Sequence, residues 1–94
     1  MLFSVRLVSK QPGDVPVDAW QGLVGEQLRA MKTHHEQGRL RAVYRETGAG
    51  VLAIFDVPGA QDMDQLLAQM PLFRYFAEVD VHALWDMVPT LQSL

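Results

Sequence analysis

Few side chains in this sequence stand where they could do chemistry, and they fall into three groups. His34, His35 and Glu36 are consecutive. Neighbours on a helix point about 100° apart, so two adjacent histidines do not converge on one metal ion as an i, i+4 pair does. On a helix they fall at the two borders of an apolar stripe, where an imidazole packs its ring and keeps a nitrogen in water. They also occupy the last turn, where the helix dipole favours a proton on either. Glu26 comes mid-helix, just outside the stripe edge marked by Trp20, Leu23 and Val24. A carboxylate half-buried there gains proton affinity and suits general-base work near neutral pH. The alternative is a solvated glutamate paired with Arg29 at i+3. The third group is Tyr44, Arg45 and Asp56. Arg45 and Asp56 suit a cross-strand ion pair, and Tyr44 suits a core ring with its hydroxyl hydrogen-bonded. The chain has no glycine-rich phosphate loop, no serine-nucleophile motif and no histidine pair at ligand spacing.

The elements that must position these groups are legible from periodicity. Phe3, Val5 and Leu7 alternate with Ser4 and Arg6, which predicts a strand over Leu2 to Ser9, broken by Gln11-Pro12-Gly13-Asp14. Trp20, Leu23, Val24, Leu28 and Met31 recur at steps of three and four, which predicts a helix from about Val17 to Gln37, stopped by Gly38. Leu40, Ala42 and Tyr44 alternating with Arg39, Arg41 and Arg45 predict a second strand, and Gly48-Ala49-Gly50 a turn. Val51 to Val57 is apolar on both faces and reads as a strand covered on both sides. Met63, Leu66, Leu67 and Met70 predict a short helix closed by Pro71, and Phe76 to Leu84 alternates as a fourth strand. The order βαββαβ is the ferredoxin-like α+β arrangement, a four-stranded antiparallel sheet with two helices on one face. An apolar tail with Trp85, Met87, Val88, Leu91 and Leu94 follows, expected to dock, on a neighbour if not on its own domain.

Composition bounds the rest. At 94 residues, 49% hydrophobic and 20% charged, the chain suits one domain spanning 1–94 and is too short for two cores. So small a domain usually adds disulfides, a metal or a partner subunit. Without cysteine there are no disulfides and no thiolate ligands, and self-association is the favoured supplement. The uncovered sheet face is expected to meet the same face of another copy, an assembly of the dimeric α+β barrel type. A net charge of −3 with eight dispersed basic residues gives no cationic stripe for nucleic acid. The apolar start is interrupted by Ser4 and Arg6, so neither a signal peptide nor a membrane span is expected, and the chain reads as cytoplasmic.

Several pieces together resemble the muconolactone isomerase family. They are Met1-Leu2-Phe3-Ser4-Val5-Arg6-Leu7 with Pro12, the glutamate on the first helix, and Gly38, Arg45 and Gly48. Ile54-Phe55-Asp56-Val57-Pro58 and Met70-Pro71-Leu72-Phe73 with Tyr75 complete the set, and the similarity runs from Met1 to about Leu84. The resemblance implies a small ferredoxin-like protein that dimerises, wraps tails around neighbours and builds rings, commonly decamers. It implies a proton shift within a lactone of catechol breakdown, with no metal or organic cofactor. It puts the base at Glu26, to within one position, and substrate contacts at Tyr44, Arg45 and Phe55. The chain departs from the family at Gln27, where a lysine usually follows the glutamate. It departs again at Gly48-Ala49-Gly50-Val51, one residue shorter than a turn that usually carries a tyrosine and an asparagine.

Three functions compete at this point. The first is a cofactor-free isomerase of a small lactone or related enolisable carbonyl compound. The second is a non-catalytic binding or assembly protein on the same scaffold. The third, borrowed from other dimeric α+β barrels such as haem-degrading or monooxygenase-like proteins, would use His34 or His35.

Overall fold

A strand alternates its side chains between two faces, and here that alternation separates a dry face from an open one. In a computed structural model describing residues 1–94, β1 (Leu2–Ser9) buries Phe3, Val5 and Leu7 against the helices. β3 (Gly50–Asp56) lies antiparallel to it and buries Ala53 and Phe55 on the same face. β4 (Phe76–Leu84) pairs with the other edge of β1, and β2 (Leu40–Glu46) with the other edge of β3. The sheet order is β2-β3-β1-β4, all antiparallel. Two helices cover the dry face: α1 (Val17–Glu36) and α2 (Ala60–Ala68). Met31 of α1 and Met63, Leu66 and Leu67 of α2, with Met70 just beyond, close one continuous core over the strands. This is the ferredoxin-like α+β fold. Each large apolar side chain fully buried in it is worth about 1.5–3 kcal/mol.

β2 departs from simple alternation. Leu40 pairs with Phe55, but Ala42 pairs with Ile54, so one extra residue, Arg41, is accommodated between them. Beyond such a bulge the phase reverses. Val43 and Arg45 therefore share the helix-side face with Leu40, whereas Ala42 and Tyr44 point to the open face. The expectation of a buried, hydrogen-bonded Tyr44 is corrected: the residue is 61% exposed on the open face. The expected Arg45–Asp56 pair is corrected for the same reason, since the two side chains lie on opposite faces. Asp56 instead accepts from the Met1 amino group at 3.0 Å and from Arg41 at 2.7 Å.

The β2–β3 turn depends on glycine twice. Gly48 has φ +78°, a left-handed conformation that side chains with a Cβ resist. Gly50 lies so close to β1 that a Cβ there would meet the Leu7 carbonyl oxygen.

The open face carries half-buried Leu52 and Ile54 at its centre, with Arg6 reaching across β3 to Glu46 at 2.7 Å. After β4 the tail forms a short helix, α3 (Val88–Gln92), and Trp85, Met87, Val88 and Leu91 are exposed. The tail does not dock on its own domain, and the chain measures 56 × 26 × 21 Å. No helix is long and apolar enough to cross a membrane.

The hydrogen bond from the Met1 amino group, then that from Arg41, holds the Asp56 carboxyl below its ordinary value. A depressed carboxylate contributes stability that is complete above the unfolded-state value, about 3.9, and is lost as pH falls through the folded value. Asp56→Asn is expected to melt below the parent at pH 7, with the gap closing progressively under about pH 4. Thermal denaturation followed by circular dichroism across that range checks it.

Candidate functional site

The sheet is not covered evenly. Between α1 and the helix-side face of β2 lies a cleft of about 620 Å³, a size that suits a small organic ligand. Its floor is Leu7, Leu40, Val43 and Val51, and one wall is Trp20, Val24, Leu28 and Met31 of α1. Ala49, Gly50, Leu72 and Phe76 complete the lining. Trp20 is held edge-on against Tyr75, with ring centroids 5.6 Å apart.

Polar groups enter this apolar space from few directions. Gln27 is only 7% exposed, and its Oε1 accepts the Leu72 backbone N–H at 3.1 Å. With Oε1 so fixed, the Gln27 amide nitrogen is left without a protein partner and opens on the cleft. Arg45 reaches the cleft from β2 because of the bulge, and forms no ion pair within the chain. Lys32 and His35 line it from the last turns of α1. Lys32 Nζ is 3.9 Å from Glu36 in an exposed i, i+4 pair, a contact worth a few tenths of a kcal/mol at most. His35 Nδ1 sits 3.1 Å from the Leu40 carbonyl oxygen.

The two histidines flank the inner face of α1, as their spacing predicts, but in different states. Arg39 Nε–H donates to His34 Nδ1 at 3.0 Å, and the His34 ring packs edge-on against Phe55. Burial first, and the Arg39 charge second, push the His34 imidazole below its ordinary value. The expectation that the helix dipole favours a proton on both histidines is therefore corrected for His34.

The sequence-derived site residues do not all meet in the cleft. Arg45 lines it, whereas Tyr44 lies on the opposite sheet face. Phe55 is 0% exposed in the core, beneath His34 and away from any ligand-accessible surface. Glu26 is exposed and does not line the cleft, so the half-buried setting expected for it is corrected. The helix phase explains why. Its inner face runs through Gln27 and Met31, turning Glu26 outward; Leu28, expected in the core stripe, is 64% exposed at the cleft rim. The sequence reading passed over Gln27 and Lys32 as site residues. A polar residue set four before Met31 on the apolar side was the available signal for Gln27.

The profile of the muconolactone delta-isomerase family matches residues 1–87. The muconolactone delta-isomerase of Acinetobacter baylyi is 29% identical over 85 residues, 89% of this chain and 88% of that protein. Muconolactone delta-isomerase 2 of Acinetobacter lwoffii is 28% identical over the same shares. A crystal structure of muconolactone isomerase superposes with a TM-score of 0.83 at 28% identity, covering 92% of this chain and 90% of that one. The 5-chloro-2-hydroxyhydroquinone dehydrochlorinase of Burkholderia phenoliruptrix superposes with a TM-score of 0.61 at 17% identity, covering 92% and 94%, a likeness of fold.

Gln27 joins the cleft wall to the segment after α2, and its loss strands a buried amide. Gln27→Leu is expected to cost about 1–3 kcal/mol, because the Leu72 N–H loses its acceptor. At about 4–8 °C per kcal/mol for a domain of this size, the drop in melting temperature is readily measured by calorimetry.

Proposed function

The chain belongs to the muconolactone delta-isomerase family, and we propose that it moves a proton within a small lactone or related enolisable carbonyl compound, bound in the cleft under α1. The family makes it an isomerase; the cleft supports this choice of substrate class. The observation that carries the reading is that Arg45, which makes no ion pair, and Gln27 both line a largely apolar cleft. Deprotonating a carbon next to a carbonyl puts negative charge on the carbonyl oxygen. Hydrogen-bond donors on the wall of a largely apolar cleft stabilise that charge. Trp20, Val24 and Val43 supply the apolar surface that excludes water from the ring of the ligand. The reaction needs a base, a set of oxyanion donors and a return path for the proton, all of which amino-acid side chains can provide.

One feature favours a second reading, a binding protein without turnover: no carboxylate lines the cleft. Incubation with muconolactone, followed by ultraviolet absorbance, separates the two. An isomerase changes the spectrum catalytically, and a binding protein leaves it unchanged. Removing one oxyanion donor typically lowers kcat about 10²- to 10³-fold, and Arg45→Met is expected to do so while leaving the melting curve intact. A loss under about threefold is the result that counts against Arg45.

Self-association belongs to the same proposal. Leu52 and Ile54 on the open sheet face, Tyr44 beside them, and the apolar tail from Trp85 to Leu94 suit burial against other copies, as a dimer or a larger ring. Light scattering at micromolar concentration is expected to give a multiple of 10.6 kDa. A clean monomer is the contrary outcome.

A further inference from the structure

We propose that His35 is the proton acceptor and carrier of the cleft. The inference rests on the isomerase reading above. Taking a proton from carbon requires a group that touches the ligand and has a free lone pair near neutral pH. No aspartate or glutamate lines the cleft. Lys32 and Arg45 line it, but an ammonium and a guanidinium are donors with no lone pair to offer. The Gln27 amide accepts no proton, and its Oε1 is occupied by the Leu72 N–H. Glu26 and Glu36 stand on the same helix but outside the cleft. His35 remains.

Its geometry suits the task. A carbonyl oxygen can only accept, so the 3.1 Å contact with Leu40 requires that His35 Nδ1 carry the hydrogen. In the neutral ring the lone pair then sits on Nε2. A hydrogen-bonded partner on Nδ1 that fixes tautomer and ring orientation is how histidine bases are generally set up. His34 has the opposite arrangement: Nδ1 is the acceptor, from Arg39, and the ring is packed against Phe55 outside the cleft.

The step balances within the ligand. His35 Nε2 takes a proton from a carbon conjugated with the ligand carbonyl, next to it or one double bond further on, in which case that double bond shifts towards the carbonyl. The C–H electron pair becomes a carbon–carbon π bond, and the carbonyl π pair moves onto oxygen, beside the cationic side chains. The imidazolium then returns the proton to a different carbon of the conjugated system, and the neutral ring is regenerated. Nothing is oxidised or reduced.

Two variants and two readouts test this. His35→Asn keeps an N–H for Leu40 but has no proton acceptor. His35→Ala leaves space that added imidazole can occupy. Isomerisation of muconolactone is followed by ultraviolet absorbance, and deuterium uptake next to the carbonyl of a simple β,γ-unsaturated γ-lactone by proton NMR in D₂O. The expected result is a fall of about 10²- to 10⁴-fold in both variants at unchanged circular dichroism, with partial recovery of His35→Ala on adding imidazole. Variants within about threefold of the parent, in whichever activity the parent shows, overturn the assignment and leave the isomerase reading standing. A parent that takes up deuterium but does not isomerise muconolactone, with uptake lost in both variants, upholds His35 and removes muconolactone as substrate. A parent that does neither overturns both. Should His35→Asn fail to fold, His35→Ala with imidazole decides alone, and if that also unfolds, His35 is structural and the assignment falls.

Discussion

A strand residue can face only one side of its sheet, and the extra residue at Arg41 decides which residues of β2 face the cleft. Had β2 run without it, Tyr44 would lie over the core and Arg45 would sit on the open face with Arg6 and Asp80. The bulge exchanges these two faces. It delivers a guanidinium to an apolar cavity and a tyrosine ring to the outer surface. It also leaves Arg41 free to reach Asp56 at 2.7 Å. The cleft's charge, the pairing of the β1–β3 end and the character of the open face all follow from one residue of register.

Two polar groups of the cleft wall have a fixed direction. Gln27 is held by Leu72, and His35 by Leu40, both through backbone groups that do not titrate. Polar side chains bound in this way lose little entropy when a ligand arrives, because the ordering was done on folding. Arg45 and Lys32 place two cationic side chains in a lining that holds no carboxylate, although the overall charge is −3.

The architecture was legible in the sequence because β1, β3 and α2 each bury one face. Phe3-Val5-Leu7 and Met63-Leu66-Leu67 lie where period two and period 3.6 put them. β4 runs from Phe76 to Leu84, as alternation alone indicates. The site was less legible because it depends on two offsets that periodicity does not report. One is the bulge at Arg41, which inverted the faces of Tyr44 and Arg45. The other is the exact phase of α1, which separates buried Gln27 from exposed Glu26 by a single step of about 100°. Phe55 went to the core because a strand at the centre of the sheet, covered by helices, has no surface to give a ligand. His34 and His35 carried their own signal, flanking positions on one helix, but their hydrogen-bond partners, Arg39 and Leu40, lie five residues on and beyond the helix end.

The bond from the Leu72 N–H to Gln27 has a kinetic meaning as well as an energetic one. Most backbone amides here are held by ladders or helical turns, and they open only when those elements break. The Leu72 amide is held by one side chain from the cleft wall across 45 residues of sequence. Its hydrogen exchanges with solvent whenever α1 swings away from the segment after α2, whether or not any strand has opened. That single amide is a built-in clock for the breathing of the cleft, readable without a ligand.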